Sequence, residues 1–465
     1  MLFSSIPFLY YFLPVVLAVY FLVPPRLRNS VLLCSSLLFY GWGEPKYVLL
    51  MAVSILSGYG FGLLLEHYRN RPASKVCCIC SVAVSLGFLL YFKYADFFLE
   101  NFNSVTGLEL PLLEIALPVG ISFYTFQIIS YTVDVYRGEP AQQNFIHLAT
   151  YISMFPQLIA GPIVRYSDIA DQLKDRQHST DLAACGIRRF ILGLGKKILI
   201  ANQLGELCSA FRSCQETSIL FHWIYGIAFC LHIYFDFSGY SDMAIGLGKI
   251  FGFHFMENFN YPYISASITE FWRRWHISLG TWFRDYVYIP MGGNRVSRGR
   301  WFWNLLVVWM LTGFWHGAAW NFLLWGLFFA LLLILEKLWL LKGLQKHSVL
   351  AHIYVLFFVM LSFLLFDAQT LPEAVSHIGG LFGMGGISLS SPETLYYLSS
   401  FAPILVLALL GATPLPKTLF LKLAQRPVIG KLITWTELFA LLALLLVMTA
   451  FLVDGSFNPF LYFRF

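Results

Sequence analysis

Charge is scarce in this sequence. Only 12% of its 465 residues are Asp, Glu, Lys or Arg, about half the share of a soluble globular protein. With 58% of residues hydrophobic, ordinary water-soluble domains could not bury the apolar surface, so lipid must be part of the solvent. No solvated basic domain is visible. The net charge of +6 sits in a few short loops, which argues against a nucleic-acid partner. The eight cysteines, Cys34, Cys77, Cys78, Cys80, Cys185, Cys208, Cys214 and Cys230, form neither an extracellular disulfide framework nor a paired metal-ligand spacing. No metal is expected. The run Cys77–Cys80 opens an apolar segment beside a basic loop, a place for reversible lipidation or for ordinary small helix residues. The first 25 residues lack the basic start and small-residue cleavage site of a signal peptide and read as a retained membrane segment. No long linker, soluble domain or repeat interrupts the chain, which reads as a single membrane domain over 1–465.

Long apolar runs are abundant. Those near 7–23, 30–42, 46–65, 76–93, 115–136, 187–211, 218–236, 301–316, 319–341, 350–367, 398–413 and 435–453 are each long enough to cross, or nearly cross, a hydrocarbon core of ~30 Å. The fold class is therefore all-α integral membrane, with about eleven transmembrane helices. Aromatics, 18% of the chain, suit interfacial belts and a packed interior. The basic loops carry Arg26 and Arg28; Arg69, Arg71 and Lys75; Arg165 to Arg189; Arg273 to Arg300; and Lys417 to Lys431. Placing them all in the cytoplasm is self-consistent. It leaves both termini and the acidic loop with Asp96, Glu100, Glu109 and Glu114 outside the cytoplasm. Residues 147–165 and 237–295 mix apolar residues with Gly, Pro, Ser, Asp and Arg. Such backbone is tolerated at membrane depth only where protein buries it or water reaches it, so both read as re-entrant or surface-lying helices lining a cavity.

Ionisable residues inside a membrane are costly and usually functional. His316 lies sixteen residues beyond Arg300, roughly 24 Å along a helix at ~1.5 Å per residue, deep in the core. A neutral imidazole there suits removal of a proton from a hydroxyl attacking a thioester. Gly313 and Gly317 bracket it, leaving room for a substrate or simply for a neighbouring helix. His276, between an Arg pair and a Trp pair, suits an interfacial helix, where it could orient a donor, relay a proton or serve as a polar anchor. The arginines of 273–300 outnumber the nearby acids Glu270 and Asp285. Arg273, Arg274 and Arg295 could meet the phosphates of coenzyme A or of a carrier-bound phosphopantetheine, or simply set the orientation. Asp236 and Asp242 could cap re-entrant helices or bind the donor's polar head; Asp134 and Arg137 could pair. The tail Asn458–Phe465 is too aromatic for an exposed end. It reads as buried, with Tyr462 either a covalent acyl acceptor or a belt anchor.

Several segments resemble the membrane-bound O-acyltransferases: FLYYFLPVVLAVYFLVPPRLRN, LLFYGWGEPKYVLLM, SYTVDVYRGEPAQQNFIHLATYISMFPQLIAGPIVRY, YFDFSGYSDMAIG, FWRRWHISLGTWFRDYVYIPMGGNR and GFWHGAAWNFLLWG. They run in order over nearly the whole chain and are most similar to the AlgI-like branch, which O-acetylates alginate, peptidoglycan and related polysaccharides. The D-alanyl-transfer proteins share the pattern. The resemblance implies a many-helix disc with funnels from both faces meeting at a central tunnel. It implies His316 as the principal catalytic histidine, His276 as its upstream partner and Tyr462 as the acyl-carrying tyrosine of the tail. It implies no permanently bound cofactor, acetyl-coenzyme A as donor substrate, and an extracytoplasmic SGNH or serine-hydrolase-like transferase as partner. The stretch beyond 367 is short for the alginate enzymes. Two other classes fit the same chain: D-alanyl transfer from a carrier protein, and a proton-coupled transporter or flippase using the histidines as a relay, although no inverted repeat is visible.

Overall fold

In lipid the backbone must satisfy its own hydrogen bonds, so uninterrupted apolar runs become helices. The computed structural model describes residues 1–159, 161–214, 217–455 and 460, and every regular element among them is helical. Among the described residues, seven helices are long and apolar enough to cross a membrane: Pro45–His67, Pro72–Thr106, Ile219–Ile250, Trp320–Leu344, Ser348–Asp367, Pro392–Gly411 and Pro427–Asp454. Other runs also form helices, but shorter ones, such as Arg28–Gly43 and Ile121–Arg137.

The chain divides into two compact units. One comprises Met1–Phe190 and Ser241–Met256; the other comprises Ile191–Tyr240 and Glu257–Phe465. The core of the first is largely aromatic. Phe3, Phe8, Phe12, Phe39 and Phe155 pack ring to ring at centroid separations of 4.8–6.4 Å. The breaker-rich stretch 147–165 contains most of the helix Phe145–Ser153, buried from Leu148 onward, and the short buried helix Phe155–Leu158. The second unit buries a larger core that includes Phe229, Phe271, Trp325, Phe329, Val359 and Phe363.

Two sequence expectations need correction. Asp96 and Glu100 do not lie in an acidic loop. They sit on the helix Pro72–Thr106, which runs on until Gly107 ends it in the left-handed conformation, φ 72°. The helix persists because nothing between 93 and 106 breaks it, and the Asp96 carboxylate accepts the Leu113 N–H at 2.7 Å from the returning chain. The second correction concerns residues 237–250, which are not re-entrant but continue the helix Ile219–Ile250. Their glycines serve close helix approach rather than chain reversal. A Cβ on Gly246 would lie 2.6 Å from the Gly186 carbonyl oxygen and 2.8 Å from the Phe190 nitrogen, and one on Gly239 would lie 2.8 Å from the Gly193 carbonyl oxygen. Backbone cannot give way as a side-chain tip can, so Gly246→Val should cost about 1–3 kcal/mol through overpacking. Fluorescence-detected gel filtration after graded heating measures this, and a wild-type melting profile would contradict the contact.

Candidate active site

His316 is the last residue of the helix Arg298–His316, after which Gly317 is extended and a new helix starts at Trp320. The helix is unbroken from Arg300 onward, so the expected rise of roughly 24 Å holds along its axis. The imidazole is 5% exposed. Aromatic rings surround it: Trp315 and Trp325 at 5.0 Å and Phe366 at 5.4 Å, all close to edge-on. The Trp325 indole N–H is buried with no hydrogen-bond partner among the described residues.

The glycines beside His316 make room for a helix. A Cβ on Gly313 would press on the Phe322 backbone, with the Gly326 Cα at 3.4 Å, and one on Gly317 would strike the Phe322 ring. The close approach is therefore to the helix Trp320–Leu335, and it fixes the end of the His316 helix in place.

His276 occupies a different setting from the interfacial helix expected for it. It lies in the break between the helices Ile268–Arg274 and Ile277–Phe283, with φ 44° and ψ 53°. A β-carbon disfavours this left-handed conformation by roughly 1–2 kcal/mol. A strained residue of this kind persists only where its surroundings hold it, and such residues cluster at functional sites. The ring is 1% exposed, enclosed by protein. Its Nδ1 lies 3.1 Å from Asn258 Oδ1, which also accepts the Ser278 hydroxyl at 2.9 Å. Its Nε2 is buried with no partner among the described residues. If Nδ1 carries the proton it donates to Asn258, and Nε2 is left as a free acceptor. The two histidines share a neighbour: the Trp315 ring is 6.0 Å from His276 and 5.0 Å from His316.

The tail reaches the same neighbourhood. Phe460 is 2% exposed and packs on Phe237 at 5.8 Å and Tyr240 at 5.2 Å, while Phe237 stands edge-on to His276 at 4.7 Å. The expected burial of the tail holds at this residue. Tyr462 lies outside the described residues.

Asp236 forms an ion pair with Lys197 at 2.6 Å, with side chains 1% and 3% exposed. Asp242 belongs to the first unit, where Arg189 donates to it from Nε at 3.0 Å and Nη2 at 2.8 Å. Both acids lie within one long helix, so neither caps a re-entrant one. Asp134 and Arg137 do pair, at 4.0 Å. Arg273 and Arg295 are exposed. Arg274 lines a cavity of about 540 Å³ and is held by Glu270 at 2.9 Å.

Two supports of the site were missed by sequence reasoning. Asn258 mounts His276 through a bond spanning eighteen residues. Glu336, 1% exposed, accepts the Ile268 and Thr269 N–H groups and the Thr269 hydroxyl, capping the short helix that carries Arg273 and Arg274. A lone acid at the end of an apolar run was the only available signal for Glu336.

The sequence profile of the membrane-bound O-acyltransferases matches residues 112–353, a stretch that contains both histidines. A "Probable alginate O-acetylase AlgI" of Pseudomonas putida is 39% identical over the full length of both chains. The chain belongs to the membrane-bound O-acyltransferase family. As a member it is a multi-pass membrane acyltransferase. Within the family it is also similar to a peptidoglycan O-acetyltransferase of Helicobacter pylori, 33% identical over 84% of this chain and 81% of that one. A teichoic acid D-alanyltransferase of Bacillus subtilis is 32% identical over 46% of this chain and 58% of its own. These two O-acetylating relatives are thus matched over more of the chain than this D-alanylating one.

Proposed function

We propose that this acyltransferase passes an acetyl group from coenzyme A in the cytoplasm, across the bacterial inner membrane, to hydroxyls of an extracytoplasmic polysaccharide. The observation that carries the reading is a histidine buried at the far end of an unbroken helix, with a second buried histidine one ring away, in a chain similar along its whole length to an O-acetylase. His316 takes the proton of an acceptor hydroxyl. That oxygen bonds to the acetyl carbonyl carbon, the carbon–sulfur bond breaks, and the departing thiolate takes up a proton to leave free coenzyme A. His276 orients the reacting groups through its free Nε2.

The acceptor hydroxyl is that of Tyr462. Phe460 is buried beside Phe237, which touches His276, and two residues of extended chain span at most about 7 Å. An extracytoplasmic SGNH-type transferase then takes the acetyl group from the tyrosine ester onto its serine and passes it to the sugar. In this arrangement coenzyme A, large and charged, never crosses the bilayer. No cofactor is held permanently, and both termini face away from the cytoplasm.

Purified protein given acetyl-labelled coenzyme A tests the reading. Free thiol should appear and the label should move to protein or polymer. A transporter would release no thiol, and a D-alanyl enzyme would respond to a charged carrier protein instead. Either result would contradict the proposal.

A further inference from the structure

The cavity beside Arg274 has a second wall that the catalytic residues do not use. It lies between the segment 260–274 and the helix Leu415–Ala424, and Asn260, Tyr261, Arg274, Lys417, Thr418 and Lys422 line it. Its volume of about 540 Å³ is in the usual range for a small-molecule site. Three cations face it, and among the described residues no acid lines it. Arg274 is fixed by Glu270 Oε1 at 2.9 Å and by the Asn260 carbonyl oxygen at 3.1 Å. Lys417 and Lys422 stand on the opposite wall, and neither belongs to an ion pair among the described residues. The same helix exposes Leu415, Leu419 and Phe420, the pattern of a helix lying in the membrane interface with its apolar side in lipid. The cationic cleft would then open at headgroup level.

We propose that this cleft binds a phosphate group, held between Arg274 on one wall and Lys417 and Lys422 on the other. A planar guanidinium can grip phosphate oxygens with paired N–H donors, and two ammonium groups supply point charge. The cleft is also mechanically tied to the site. The Asn260 N–H donates to the Arg274 carbonyl at 2.9 Å and the Ile277 N–H to the Asn258 carbonyl at 3.0 Å. This two-stranded tie carries the cleft wall at one end and the Asn258 mount of His276 at the other. Two molecules could supply the phosphate: the nucleotide end of coenzyme A or a phospholipid headgroup. The first rests on the donor assignment made above; the second does not.

The test uses full-length protein in neutral detergent, wild type and a Lys417→Gln/Lys422→Gln double variant, with Lys346→Gln as a control outside the cleft. In the donor arm, coenzyme A and its 3′-dephospho form are compared by calorimetric binding, so the readout does not depend on turnover. If the donor fills the cleft, wild type prefers coenzyme A by about tenfold, the magnitude of one charged hydrogen bond, and the double variant loses most of that preference. In the lipid arm, native mass spectrometry after adding phosphatidylglycerol counts retained lipid. If a headgroup fills the cleft, wild type keeps an adduct that the double variant loses. Either change establishes the phosphate site and names its source. A double variant matching wild type in both arms, with a normal gel-filtration profile, overturns the proposal. Absence of acetyl transfer in wild type would instead strike the donor reading, and the lipid arm would still report on the cleft.

Discussion

His316→Ala should lower acetyl transfer by about 10²–10⁴-fold, the usual contribution of a general base, while the protein still reaches the membrane and runs as a single gel-filtration peak. The side chain ends a helix whose position is fixed elsewhere, by the packing of Gly313 against the backbone of Phe322 and by Gly326. Removing the imidazole leaves that contact intact. It does open a small void among Trp315, Trp325 and Phe366, so His316→Gln serves as a better-filled companion variant. Both should be inactive with labelled acetyl-coenzyme A. Transfer near the wild-type rate in either would remove His316 from the chemistry.

The second large effect concerns stability. Asp236→Ala should destabilise the protein by roughly 3–5 kcal/mol, because it removes a carboxylate that pairs with the buried Lys197 ammonium. Both side chains are almost fully enclosed, so water cannot replace the lost partner. Changing both residues, Lys197→Met with Asp236→Leu, should recover most of the loss, since an apolar pair of similar volume often replaces a buried ion pair without penalty. Heating followed by fluorescence-detected gel filtration reads all three proteins. A stable Asp236→Ala protein with a raised KM for acetyl-coenzyme A would return this carboxylate to donor binding.

Asp236 marks where sequence reading stopped short. An acid followed by Phe, Ser and Gly in an apolar setting looks the same whether it meets a ligand or a lysine far earlier in the chain. Only the fold decides, and here it supplies Lys197. The same limit applies to Gly239 and Gly246. Glycine weakens a helix on its own, and close backbone approach makes it necessary; the pattern Asp-Phe-Ser-Gly-Tyr-Ser-Asp reads as a break until the Gly193 backbone is placed against Gly239, and Gly246 looks the same until it meets Gly186. His316 was legible because its depth depends on local quantities alone: a basic rim at Arg300, an apolar run and the rise per residue. His276 was legible as a candidate but not in its geometry. Its left-handed backbone and its bond to Asn258 depend on contacts that no spacing rule encodes. The burial of the tail could be argued from its aromatic content, and Phe460 lies where that argument puts it.

In the proposed mechanism a buried imidazole moves an acyl group from a cytoplasmic thioester onto the protein's own tail. Mass spectrometry of the C-terminal peptide containing Asn458–Phe465, after incubation with acetyl-coenzyme A, reads this step. One acetyl group is expected on Tyr462 in wild type and none in His316→Ala or Tyr462→Phe. An unmodified tail in wild-type protein that is releasing coenzyme A, or polymer acetylation undiminished in Tyr462→Phe, would contradict it.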